Sequence, residues 1–114
     1  MTKLFITVKN QFDDIHCYPN APDEVYFLKN PHRHTFMIET TIQVFHADRE
    51  LEFYMVKDYI DTLTTEIKSL QVSKSCENIC TMILNKLKEK YGSNRIYRIS
   101  CSEDGWNKAT VEED

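Results

Sequence analysis

The sequence predicts an α+β fold: a four-stranded antiparallel sheet in ββααββ order, with two helices packed on one face. Three observations carry this. Period-two alternation of apolar and polar residues marks both ends of the chain. A three-to-four-residue apolar period occupies the middle. Ser75 and Gly92 punctuate that middle stretch as a helix start and a helix stop.

Each element follows from its residues. "KLFITVKN" alternates Leu4, Ile6 and Val8 against Phe5, Thr7 and Lys9, a strand pattern. From Asn10 to Pro31 the chain is rich in acidic and turn-forming residues, with Pro19 and Pro22 inside it, and reads as a long connecting segment. "HTFMIETTIQVFH" is the clearest strand, with Phe36, Ile38, Ile42 and Val44 on one face and Thr35, Glu39, Thr41 and Gln43 mostly on the other. "HADR" then reads as a hairpin turn into "ELEFYM". From about Phe53 the period changes: Phe53, Val56, Ile60, Leu63, Ile67 and Leu70 make the stripe of an amphipathic helix, which "LQVSK" ends. Ser75 caps a second helix, "CENICTMILNKLKEKY", whose Ile79, Ile83 and Leu87 form its buried stripe. "NRIYRISCSE" and "KATVEE" return to strand. Residues 1–114 read as one domain, without a linker or repeat. A sheet this small leaves its edges open, which points to oligomerisation through them.

Composition narrows the function. The chain has 114 residues, 41% hydrophobic and 28% charged, in the range of folded globular domains. A net charge of -4, with lysines and arginines dispersed, argues against nucleic acid or an anionic membrane as partner. No apolar run reaches membrane-spanning length, and "MTKLFITVKNQF" lacks the uninterrupted apolar core and cleavage site of a signal peptide. Four cysteines in that setting read as reduced thiols, so a cytoplasmic location is expected. Cys76, Cys80 and Cys101 fall on core stripes as packing residues.

The stretch "NPHRHTF" holds His32 and His34 two residues apart, so on a strand both rings point to one face. Two imidazoles so placed can share a metal ion, and zinc takes three protein ligands plus an open position in catalytic sites. His46 lies at the other end of the strand, roughly 40 Å away at about 3.3 Å per residue, and is excluded. His16 sits at the end of the first strand region and can come beside His34 if the two strands are antiparallel neighbours. The spacing alone is equally that of two exposed or hydrogen-bonded side chains.

Five pieces occur in order: "FDDIH", "HRHTF", "EFYMVK", "SCENIC" and "EDGWNKA". Together they resemble the 6-pyruvoyltetrahydropterin synthase / 6-carboxytetrahydropterin synthase family across nearly the whole chain. The family pattern is F-x-x-x-H, H-G-H-x-[YF], D-F-x-x-L-K, T-x-E-N-(L/I)-A, and E-T with a small residue six after the Glu. The resemblance implies a T-fold, whose ββααββ order is the one read above. It also implies a homo-oligomer, a hexamer of two trimers whose sheets close into a barrel. It further implies that His16, His32 and His34 bind Zn2+ and that Glu103 anchors a pterin-like ring through paired hydrogen bonds. The activity implied is that of a zinc-dependent carbon–oxygen lyase acting on 7,8-dihydroneopterin triphosphate or a related pterin or purine, in a pterin- or queuosine-related pathway.

The departures from the pattern are specific. Arg33 replaces the glycine of H-G-H, with its side chain expected on the opposite face. The usual base, a cysteine four residues before the first H-x-H histidine, is Leu28; the glutamate that a subgroup carries three before it is Lys29. The L-D-H motif between the helices is missing, since no histidine follows His46 and "SLQVSKS" is too short to hold it. Asp14, on the face of His16, is a candidate carboxylate behind the ligand or a base. Glu24, with Asp23 beside it, lies in the loop of the missing cysteine and is the other catalytic candidate, while Cys17 is expected to face away. Two further readings therefore stand beside the lyase. One is a non-catalytic zinc-bearing module that binds or sequesters a pterin- or purine-like ligand. The other is a zinc ion that only staples the 10–31 segment.

Overall fold

The computed structural model describes residues 1–114. Its elements are β1 (Leu4–His16), a 3-10 helix (Asp23–Lys29), β2 (His32–Val44), α1 (Phe53–Ser69), α2 (Cys76–Tyr91), β3 (Tyr97–Glu103) and β4 (Asn107–Glu113). The strands form one antiparallel sheet in the order β1-β2-β3-β4. α1 packs against β1, and α2 covers β3 and β4.

Alternation decides which strand residues meet the helices. Val8 and Phe12 of β1, Phe36, Ile38 and Ile42 of β2, and Tyr97, Ile99 and Cys101 of β3 are all buried on that face. Opposite them stand Val56, Ile60, Leu63 and Ile67 of α1 and Ile79, Ile83, Leu84 and Leu87 of α2. Each such side chain taken fully from water contributes about 1.5–3 kcal/mol. Helix ends are local in origin. The Ser75 hydroxyl accepts from Asn78 N–H at the start of α2, the Glu52 carboxylate accepts from Tyr54 N–H at the start of α1, and Gly92 ends α2 at φ 101°.

Two expectations are corrected. β1 does not stop near Asn10 but runs to His16, and the segment expected to be wholly connecting also contains the 3-10 helix. Asp13 and Asp14 look like turn residues, yet each has a partner that sequence does not reveal. Asp13 meets Arg33 and Thr35 on the neighbouring strand, and Asp14 meets Lys74 from between the helices. "HADR" is likewise no hairpin turn into a strand: residues 45–52 form a loop that leads straight into α1. Glu50 holds that loop by accepting from Phe45 N–H and pairing with Arg95 at 2.9 Å. The first hairpin is instead β1 and β2, joined by residues 17–31.

The register leaves one end of that hairpin unmatched by the rest of the sheet. β1 and β2 pair along all of Leu4–His16, whereas β3 pairs only with Phe36–Ile42 of β2. Residues 32–35 therefore extend beyond the end of β3. No helix is long and apolar enough to cross a membrane.

Candidate metal centre

The overhanging end of the hairpin carries the histidines. His16 pairs directly with His32, and Asp14 with His34, so the partner of His16 is two residues along from the expected His34. Opposed residues in an antiparallel pair share a face, and i, i+2 residues do as well. The same alternation that buries Phe12 and Phe36 thus sends His16, His32 and His34 to the helix side. Their rings lie edge-on to one another, with centroids 4.5, 4.9 and 5.0 Å apart. One nitrogen of each lies within 4.8 Å of the other two. Zinc bonds of about 2.0–2.1 Å need nitrogens roughly 3.3 Å apart, a small contraction from this arrangement.

Each ring is held by its Nδ1. His16 Nδ1 donates to the Lys74 carbonyl at 3.0 Å, His32 Nδ1 to the Asn30 carbonyl at 2.8 Å, and His34 Nδ1 to the Asp104 carboxylate at 2.7 Å. All three partners are acceptors, so each Nδ1 carries a proton, and in the neutral ring Nε2 is the nitrogen left to bind a metal. Into the same space projects Glu103 from the end of β3. Its Oε1 is 3.6 Å from His16 Nε2 and its Oε2 is 3.5 Å from His34 Nε2. Three ring nitrogens and a carboxylate converge here. A carboxylate gathered with these nitrogens favours positive charge at the centre, and three imidazole nitrogens suit zinc.

A cleft of about 960 Å³ opens beside the rings. His16, His32 and Glu103 line it, and its other walls come from the connection between β1 and β2 (Cys17 to Asn20, Leu28 and Pro31) and from the connection between the helices. Its size is that of a site for a small organic molecule.

The remaining candidates separate. Leu28 lines the cleft, so an aliphatic side chain occupies the wall where the resemblance places a thiol. Arg33 points to the exposed face, as expected, and pairs with Asp13 at 2.6 Å. Asp14 lies on the face of His16, but its Oδ2 is 2.9 Å from Lys74 Nζ in an ion pair without hydrogen-bond alignment. Both side chains of that pair are nearly buried, at 13% and 10% exposure. Asp14 is thus engaged away from the cleft, and Glu24 is exposed on the 3-10 helix outside it. Cys17, expected to face away, lines the cleft because β1 ends at His16 and alternation lapses there. Cys76, Cys80 and Cys101 are buried packing residues. Cys76 also reaches the cleft wall, where a hydrogen bond from the Cys101 thiol pulls its pKa down, while burial pushes Cys80 up to about 12. His46 lies at the opposite end of β2 and takes no part.

A family model described as 6-pyruvoyl tetrahydropterin synthase matches residues 5–114. The chain belongs to that family. The four-stranded sheet with its two helices is accordingly a T-fold. A search of curated proteins returns no significant match. Against the family pattern, sequence reading missed Lys74, Asn30 and Asp104. The first two act through main-chain carbonyls, for which no residue type is a signal. Asp104 did leave a trace: it follows Glu103 directly, where the pattern carries threonine.

Proposed function

We propose that this chain is a zinc-dependent member of the pterin synthase family, acting as a carbon–oxygen lyase on 7,8-dihydroneopterin triphosphate or a related pterin or purine. The observation that carries it is the convergence of three imidazole nitrogens and one carboxylate beside a cleft. His16, His32 and His34 hold the ion. Bound zinc supplies Lewis acidity toward vicinal oxygens of a ligand's side chain, acidifying the neighbouring C–H and O–H bonds. Glu103 faces the ring of the ligand, accepting from its N–H and amino groups as a directional, charge-assisted pair. Leu28 excludes water from one wall of the cleft. The reading carries with it a cytoplasmic setting and assembly of the subunits, as two trimers, into a hexamer.

A second reading rests on its own observation. Leu28 on the cleft wall and Asp14 held by Lys74 remove the expected bases, and the one carboxylate lining the cleft besides Glu103 is Glu77, exposed in the first turn of α2. That favours a zinc-bearing module that binds a pterin- or purine-like ligand without turning it over.

Metal analysis of the purified protein is expected to find about one zinc per subunit, and His32→Ala to abolish it. Wild type that stays metal-free after incubation with zinc overturns both readings. Incubation of the zinc-loaded protein with dihydroneopterin triphosphate then decides between them. Product release supports the lyase, and retention of unchanged ligand supports the module.

A further inference from the structure

Of the three Nδ1 partners, two are neutral carbonyls and one is an anion. Asp104 follows the last residue of β3, where the ladder with β2 has ended. It continues that ladder with its own atoms: Asp104 N–H donates to the Thr35 carbonyl at 2.8 Å, and Thr35 N–H donates to Asp104 Oδ1 at 2.9 Å. The other carboxylate oxygen takes the His34 Nδ1 proton at 2.7 Å. To do both, the residue adopts φ 56°, a left-handed conformation that favours glycine. The next residue is Gly105, also left-handed at φ 83°. A turn alone would be served at least as well by glycine at position 104. An aspartate kept in this conformation, with both oxygens engaged, points to the carboxylate itself as the useful feature.

We propose that Asp104 is a positioning residue that makes His34 the strongest donor of the three imidazoles. Its carboxylate fixes the Nδ1–H tautomer and raises electron density at Nε2, which the Asn30 and Lys74 carbonyls do less for His32 and His16. It also ties the overhanging end of β2 to β3, so that the ring is held at a set distance from Glu103. This rests on the metal-binding reading above and adds a residue to it.

The test compares wild type, Asp104→Asn and Asp104→Gly by zinc affinity in chelator competition. A second readout is the 15N chemical shifts of the His34 ring in the metal-free protein at neutral pH. Asp104→Gly is expected to bind zinc about 10- to 100-fold more weakly and to show a mixed His34 tautomer. Asp104→Asn, which keeps an oxygen acceptor without the charge, is expected to hold the Nδ1–H tautomer and regain part of the affinity. Thermal melting of the metal-free variants shows that they fold. If Asp104→Gly folds, keeps the wild-type tautomer and binds zinc within about twofold of wild type, the aspartate only shapes the turn and the proposal is overturned. If wild type itself binds no zinc, the reading of the site fails, a result told apart by the wild-type titration alone.

Discussion

Asp13 and Asp14 are neighbours on β1, and alternation sends them to opposite faces of the sheet. Asp13 faces solvent, where the Thr35 hydroxyl and then the Arg33 guanidinium hold its carboxyl below the usual range. Asp14 faces the helices and meets Lys74. Sequence could place both on a strand face only once the strand was known to reach that far. The histidines were easier to read, because periodicity puts His32 and His34 on one face and the resemblance to the family pattern adds His16. What orients them was not, since two of the three acceptors are main-chain atoms. Glu103 carries the prediction at this scale. Glu103→Ala is expected to weaken binding of a pterin ring tenfold or more, as each charge-assisted hydrogen bond lost costs about 1.5–3 kcal/mol. Zinc content should stay at the wild-type level. Calorimetric titration with a pterin, beside metal analysis, checks both, and unchanged affinity removes Glu103 from the ligand site.

At the scale of elements, the connection between α1 and α2 does more than link helices. Lys74 gives its carbonyl to His16 and its ammonium to Asp14, and the ammonium also donates to the Lys68 carbonyl at 2.9 Å. A six-residue stretch with no apolar period thus carries one wall of the cleft and the orientation of one ring. The helices on either side were legible from their stripes and caps. The connection was not, because the contacts that matter for the site, to His16 and Asp14, are to residues distant in sequence. Removing one partner of a nearly buried ion pair leaves the other charge stranded. Lys74→Ala is therefore expected to cost about 3 kcal/mol in the metal-free protein by urea unfolding. Changing both, as Asp14→Asn with Lys74→Met, should restore much of that loss. A single variant as stable as wild type shows that the pair is solvated.

As a whole the molecule is elongated, 50 × 27 × 22 Å, with a latch at each end of the sheet. At one end Arg95 donates to the Gln43 carbonyl at 3.0 Å and to Glu50 at 2.9 Å. That guanidinium, with Phe45 N–H, holds the Glu50 carboxyl below its usual range. A depressed folded-state pKa adds stability above the unfolded carboxylate value, about 4.3, and the gain is lost as pH falls through the folded value. Glu50→Gln should therefore be less stable than wild type at pH 7, with the gap closing toward pH 3 in urea unfolding. A gap that widens in acid contradicts the sign. At the other end the histidines take the place of such a network. Saturating zinc at about a hundred times its Kd is expected to add about 2.7 kcal/mol, or on the order of 10 °C in Tm, over chelator-treated protein. His32→Ala should show no such response. The strand order and helix faces were readable because each follows a period. Lengths were not, since where β1 ends and β3 falls short depends on partners across the sheet.

That shortfall governs how the protein breathes. Beyond Thr35, where Asp104 makes the last bonds to β2, that strand has a backbone neighbour on one side only, and the tip is expected to fray before the apolar layer beneath the helices opens. Amide hydrogens near His34 should then exchange with solvent far sooner than those of Ile38 to Ile42, and a captured ion would slow them selectively. Equal protection at the two places would show that the tip and the apolar layer open together.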